Sequence, residues 1–163
     1  MKAKISLLMC LILFGCGEKA PEIPPFVELT SEQVQTLSAG NRACYKIASS
    51  INRAFPDSVT QCSLINAGQG GLFKENFSFY LMTSTKQVSE WNKWACLSVG
   101  KVMADGADVG MEKVFMKSNP TDKRALQIDA YVCRDLQRKA YSGEISEFEV
   151  LKQFNRRSVL MDM

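Results

Sequence analysis

The sequence predicts an α+β fold in two layers, a four-stranded antiparallel sheet carrying two long helices on one face in the order α-β-β-α-β-β, closed by a short C-terminal helix. Apolar residues recur at helical steps from Val34 to Phe55 and again from Val88 to Met103. Each run leads into a pair of segments in which apolar and polar residues alternate, with turn-forming residues between them. Ala43-Cys44 and Ala95-Cys96 take the same place in the two halves, so the body reads as helix-strand-strand twice, either a duplication or a chance echo of the α-β-β pattern, since little else in the halves is identical.

Thr30-Ser31-Glu32-Gln33 has the shape of a capping box and opens the first helix. Val34, Leu37, Cys44, Ile47, Ile51 and Phe55 form its apolar stripe, Gly40-Asn41 is its weak point, and Pro56-Asp57 closes it. Strands are expected over 58–66 and 72–83 around a glycine-rich turn at 67–71, with Phe73, Glu75, Phe77, Phe79 and Leu81 on one face of the second. Ser84-Thr85-Lys86-Gln87 repeats the capping pattern ahead of Val88, Trp91, Ala95, Val99 and Val102 or Met103, the stripe of a helix that ends near Asp105-Gly106. Val109, Met111 and Phe115 belong to a third strand, and Ser118-Asn119-Pro120-Thr121-Asp122 to a turn. Leu126, Ile128, Ala130 and Val132 alternate as a fourth strand. Residues 134–141 read as helical and Ser142-Gly143 as their end. Ser146 caps a last helix with Phe148, Leu151 and Phe154 inward and Ile145 placed to staple Val150.

Ahead of this body, Lys2 and Lys4 precede an apolar run that is too short to cross a bilayer, for which roughly 20 residues are needed. It sits where a secretory signal belongs. The run ends in Leu13-Phe14-Gly15-Cys16, which resembles the lipobox of bacterial lipoproteins: an aliphatic residue, a variable one, a small one and cysteine. The resemblance implies cleavage before Cys16, whose thiol would carry diacylglycerol and whose amine a third acyl chain. Gly17 is not the aspartate that retains such proteins in the inner membrane, so it also implies sorting to the outer membrane, with the domain facing the periplasm. The chain then divides into a signal peptide (1–15), a proline-rich tether (16–25, with Pro21, Pro24 and Pro25) and a single domain (26–163).

The two signal lysines leave with the peptide and bring the remainder close to neutrality, which gives no reason to propose a nucleic-acid partner. Cys44, Cys62, Cys96 and Cys133 remain in the domain. In an oxidising compartment four cysteines favour two disulfides, with three possible connectivities. From Cys44 to Phe55 a helix climbs roughly 16 Å, and from Asp57 to Cys62 a returning strand covers about the same distance. Cys44–Cys62 is therefore favoured. Cys96–Cys133 follows with a poorer fit, because Cys133 would end a strand running along the direction of its helix.

The chain has no histidine, which removes the common general base, Ser-His and Cys-His nucleophile pairs, and a His-bearing zinc set. No C-x-x-C, G-x-S-x-G, P-loop or dinucleotide motif occurs. Asp105 and Asp108, or Glu144, Glu147 and Glu149, are carboxylates of the right type for a glycosidase-like pair, but capping and loop solvation account for them. Met103, Met111 and Met116 read as core filler. The expectation is a non-enzyme with no cofactor and no metal. Trp91 and Trp94 lie three apart, Trp91 on the inward stripe and Trp94 at its edge, so Trp94 with Lys93 is the candidate partner-binding site. Residues 143–154 resemble the C-terminal oligomerisation motif called SHOCT, beside the simpler reading of a capping helix. Two functions fit: a membrane-anchored scaffold that binds an envelope protein in a secretion, conjugation or outer-membrane upkeep assembly, or a periplasmic blocking protein of the immunity or exclusion type.

Overall fold

A computed structural model describes residues 22–66, 77–105 and 111–163, apart from the side chains of Asn66, Phe77 and Met111. The expected signal peptide, Cys16 and most of the tether lie outside the described residues. So do the 67–71 turn, the start of the second strand, and Gly106, Asp108 and Val109.

The elements in chain order are α1 (Ser31–Thr36), α2 (Ala39–Ala54), β1 (Thr60–Asn66), β2 (Phe77–Thr83), α3 (Val88–Ala104), β3 (Met111–Lys117), β4 (Arg124–Asp129), α4 (Ala130–Tyr141), α5 (Glu147–Arg157) and β5 (Val159–Asp162). Thr30 and Gln33 close the expected capping box reciprocally. The first long helix breaks at Leu37-Ser38 rather than at Gly40. Ser38 caps α2 through the Asn41 N–H, and the Arg42 guanidinium reaches back to the Gln35 and Leu37 carbonyls at the end of α1.

The strands form one five-stranded sheet in sequential order. The expectation of four antiparallel strands is corrected on two points. β1–β2, β3–β4 and β4–β5 are antiparallel, but β2 and β3 are parallel. The intervening α3 is 17 residues, about 25 Å, which carries the chain back to the end of the sheet where β2 began. The next strand must then repeat the direction of β2. The fifth strand escaped sequence reading because it is four residues long and exposed on both faces, so it carries no period-2 burial.

A second correction concerns 126–133. Leu126 and Ile128 are in β4, but Ala130 and Val132 are in α4. Asp129 accepts the Tyr131 N–H at 2.8 Å and caps the helix with no intervening loop. Ala130, Cys133 and Leu136 then turn inward at helical steps. The other end of α4 is a Schellman turn: Gly143 at φ 74° donates to the Ala140 carbonyl and Glu144 to that of Lys139. In α5 the inward residues are Val150 and Phe154, with Leu151 half-buried, while Phe148, expected inside, is 76% exposed. Ile145 packs beside the core that holds Val150.

The core lies between the helices and one sheet face, where Ile47 and Ile51 (α2), Trp91 and Val99 (α3), and Leu136 (α4) meet Phe79, Leu81 and Val114. Trp91 is wholly buried and donates its indole N–H to Thr60 Oγ1 at 2.9 Å. Thr60 in turn donates to Thr83. Cys44–Cys62 joins α2 to β1 (Cα–Cα 5.5 Å) and Cys96–Cys133 joins α3 to α4 (Cα–Cα 5.0 Å). The poor fit expected for the second pair disappears because Cys133 is on a helix rather than at the end of a strand.

Candidate interaction surface

α3 is the most enclosed helix of the body. α2 lies on one side of it and α4 on the other, and beyond the exposed first turn (Val88, Ser89, Glu90) only the stripe through Trp94, Leu97, Lys101 and Ala104 reaches the surface. Trp94 is 41% exposed. Lys93, expected beside it as a binding residue, is instead buried. Its ammonium lies 2.7 Å from Glu90 and 3.1 Å from Glu147, tying α3 to the first turn of α5. Burial alone would lower the Lys93 pKa, but the hydrogen bonds and charges of the two carboxylates outweigh it and the net shift is upward. Lys93, expected on the surface beside Trp94, therefore serves the contact between α3 and α5.

Glu149 receives a hydrogen bond from Gln153 and pairs with Lys152. Asp105 is the C-cap residue of α3. Met103 and Met116 are buried in the core. Among the described residues no group of three or more His, Cys, Asp or Glu is placed to hold a metal ion.

Beyond Lys101, a cleft of about 840 Å³ opens between the last turns of α3 and the outer side of α4. Tyr131, Arg134, Arg138 and Tyr141 fall at steps of three, four and three along α4 and line it together with Lys101 and Asp105. Tyr131 is 44% and Tyr141 89% exposed. The Arg134 guanidinium sits over the Tyr131 ring, 4.8 Å from its centroid. Asp135 pairs with Arg138 (3.1 Å) and Lys139 (3.0 Å), and the hydrogen bond from Lys139, with the two cations, holds its carboxyl below the ordinary value. Lys101 and Trp94 share the exposed stripe of α3 about 10 Å apart along the axis, seven residues at the helical rise. Aromatic rings beside arginines, presented by two helices locked by a disulfide, form a surface suited to protein recognition. Sequence reading missed the α4 residues because 130–132 was assigned to a strand. The Asp129 cap and the 3-4-3 spacing of Tyr131, Arg134, Arg138 and Tyr141 were the signals that could have found them.

No protein-family model, characterised protein or solved structure matches this chain.

On the opposite side of the body, residues 22–29 approach the sheet at β1. Gln61 donates its amide to the Pro24 and Pro25 carbonyls at 2.8 and 3.1 Å. Phe26 then stacks on Tyr45 of α2 at 5.6 Å, and Tyr45 Oη accepts the Leu29 N–H.

Proposed function

We propose that the chain is a membrane-anchored envelope lipoprotein whose domain binds a protein partner as a scaffold component of an envelope assembly. The anchor rests on Leu13-Phe14-Gly15-Cys16, which resembles a lipobox, and outer-membrane attachment with a periplasmic domain rests on Gly17 after it. Two disulfides in the body suit an oxidising compartment of that kind. The observation that carries the binding role is the α4 stripe. α3 leaves Trp94 exposed and α5 leaves Phe148 exposed, but α4 leaves two tyrosines, Tyr131 and Tyr141, in solvent on one stripe beside Arg134 and the cleft. Tyrosine and arginine are the residue types on which interface energy concentrates.

The test is a crosslinked pull-down from membranes, comparing wild type with Tyr131→Ala/Tyr141→Ala and with Trp94→Ala. One envelope protein recovered with wild type and weakened at least about thirtyfold by the double tyrosine change, the effect of losing about 2 kcal/mol at a hot spot, supports the reading. Equal recovery by all three proteins, with the double variant folded by circular dichroism, removes α4 from the interface. Capture of an exogenous toxin or hydrolase in place of an envelope protein favours the blocking role.

A further inference from the structure

Strand alternation sorts the side chains of the sheet into two faces. Cys62 is bonded to α2, and Phe79, Leu81, Val114, Met116 and Ile128 join the core, so these residues face the helices. The residues between them face the other way, and register aligns them in rows. Ser63, Tyr80, Phe115, Gln127 and Val159 form one row across all five strands. Met82 and Lys117 lie in the next row, with Ala125 and Met161 opposite one another beyond them. Every described helix belongs to the other layer. The helix-free face thus has an apolar centre (Tyr80, Phe115, Met82, Val159, Met161) with Lys113 and Lys117 on either side of Phe115 in β3. Val159 and Met161 are exposed, Tyr80 and Phe115 half-buried among their neighbours, and burial raises the Tyr80 phenol above its ordinary value of 10.0. Asp129, opposite Lys113, has its carboxylate engaged as the cap of α4.

The chain enters the body at the β1 edge of the sheet, which is one rim of this face. Gln61 alternates with Cys62, so the amide that holds Pro24 and Pro25 points to the helix-free side of the edge strand. Cys16 is eight residues before Pro24, a reach of at most about 29 Å. Five strands span about 19 Å. A bilayer holding Cys16 is therefore never farther from the rim of this face than one and a half sheet widths.

We infer that the helix-free sheet face lies on the membrane surface, with Lys113 and Lys117 toward anionic lipid headgroups and the Tyr80–Phe115–Met161 region at the interface. This rests on the lipid-anchor reading. The alternation of lysine with aromatic and methionine side chains matches interfacial segments, in which the rings sit at headgroup level and lysines contribute charge attraction. A protein docked flat on this face turns α4 and its cleft away from the bilayer, toward the periplasmic partner.

The experiment uses the full chain expressed with its own N-terminus and reconstituted into phosphatidylcholine vesicles, with and without phosphatidylglycerol, some carrying brominated acyl chains. Tryptophan is placed on the face by Met161→Trp and, separately, by Phe115→Trp, while native Trp94 reports the helix layer. Stronger quenching of the introduced tryptophan than of Trp94, only where phosphatidylglycerol is present, supports the inference. Adding Lys113→Gln/Lys117→Gln to Met161→Trp should then lower the docked-to-undocked ratio about thirtyfold, at about 1 kcal/mol per lysine. Quenching at position 161 no greater than at Trp94, or unchanged by loss of both lysines, overturns it, and the exposed Met161 site keeps the test readable if Phe115→Trp does not fold. Flotation with pure phosphatidylcholine vesicles reads the anchor separately. A chain that floats without face-specific quenching refutes the face alone, and one that does not float refutes both.

Discussion

Gly100 is buried where α3 crosses α4, four residues after Cys96, and the crossing sets how close the two helices lie. A Cβ at position 100 would fall against the Cys133 carbonyl oxygen, 2.8 Å from its carbon and 2.7 Å from Gln137 Cβ. Two effects of Gly100→Ala oppose one another. Alanine favours the helix by about 1 kcal/mol. The clash, however, is with backbone that Cys96–Cys133 holds in place, and overpacking of that kind costs about 1–3 kcal/mol. The rigid obstacle puts the clash at the upper end, so the net result is a loss of about 1–2 kcal/mol. Urea unfolding monitored by tryptophan fluorescence measures it, with an unchanged m-value showing that the difference is one of stability. A variant more stable than wild type would refute the reasoning, since that is how an exposed helical glycine responds.

Cys96→Ser/Cys133→Ser removes a cross-link spanning 37 residues, worth about 4 kcal/mol by loop closure; calorimetry should show Tm lower by about 8–15 °C, with Cys44→Ser/Cys62→Ser slightly less affected because its loop is 18 residues. Thr60→Val keeps the shape but leaves the buried Trp91 indole N–H without its acceptor, costing about 1–3 kcal/mol in chemical denaturation; an unchanged midpoint would show that the bond is dispensable. Because the Asp135 pKa is lowered from 3.8 in the folded protein, its contribution to stability is present above 3.8 and lost as pH falls through the depressed value. Asp135→Asn should accordingly be less stable than wild type at neutral pH, with the gap closing in acid, as urea midpoints measured across pH will show.

Much of the architecture was legible where local chemistry and tertiary packing agree. Thr30 and Ser146 cap helices because their hydroxyls can reach the third N–H beyond, whatever surrounds them. Cys44–Cys62 followed from helix rise and strand rise alone. Ser84 had the same local pattern as Thr30, yet its hydroxyl accepts the Val59 N–H across the hairpin, and Gln87 caps α3 without a side-chain bond. The β4–α4 boundary was hidden because Ala130 satisfies both the period of a strand and that of a helix; only the Asp129 cap decides it. The parallel β2–β3 pair depends on where α3 delivers the chain, and alternation within a strand carries no information on direction. Lys93 looked like a surface cation because its partner Glu147 is 54 residues away. The cleft was invisible for the same reason: Lys101 and Tyr131 meet only when α3 and α4 cross.

The proposed attachment of this body to the membrane requires a lipid on Cys16. Intact mass and N-terminal peptide analysis of the protein extracted from membranes tests it most directly. A chain that begins at Cys16 and carries diacylglycerol and a third acyl chain, with Cys16→Ser unmodified and released from the membrane, is the predicted result. A chain that begins elsewhere, or an unmodified Cys16 in a protein that stays with the membrane, would contradict it.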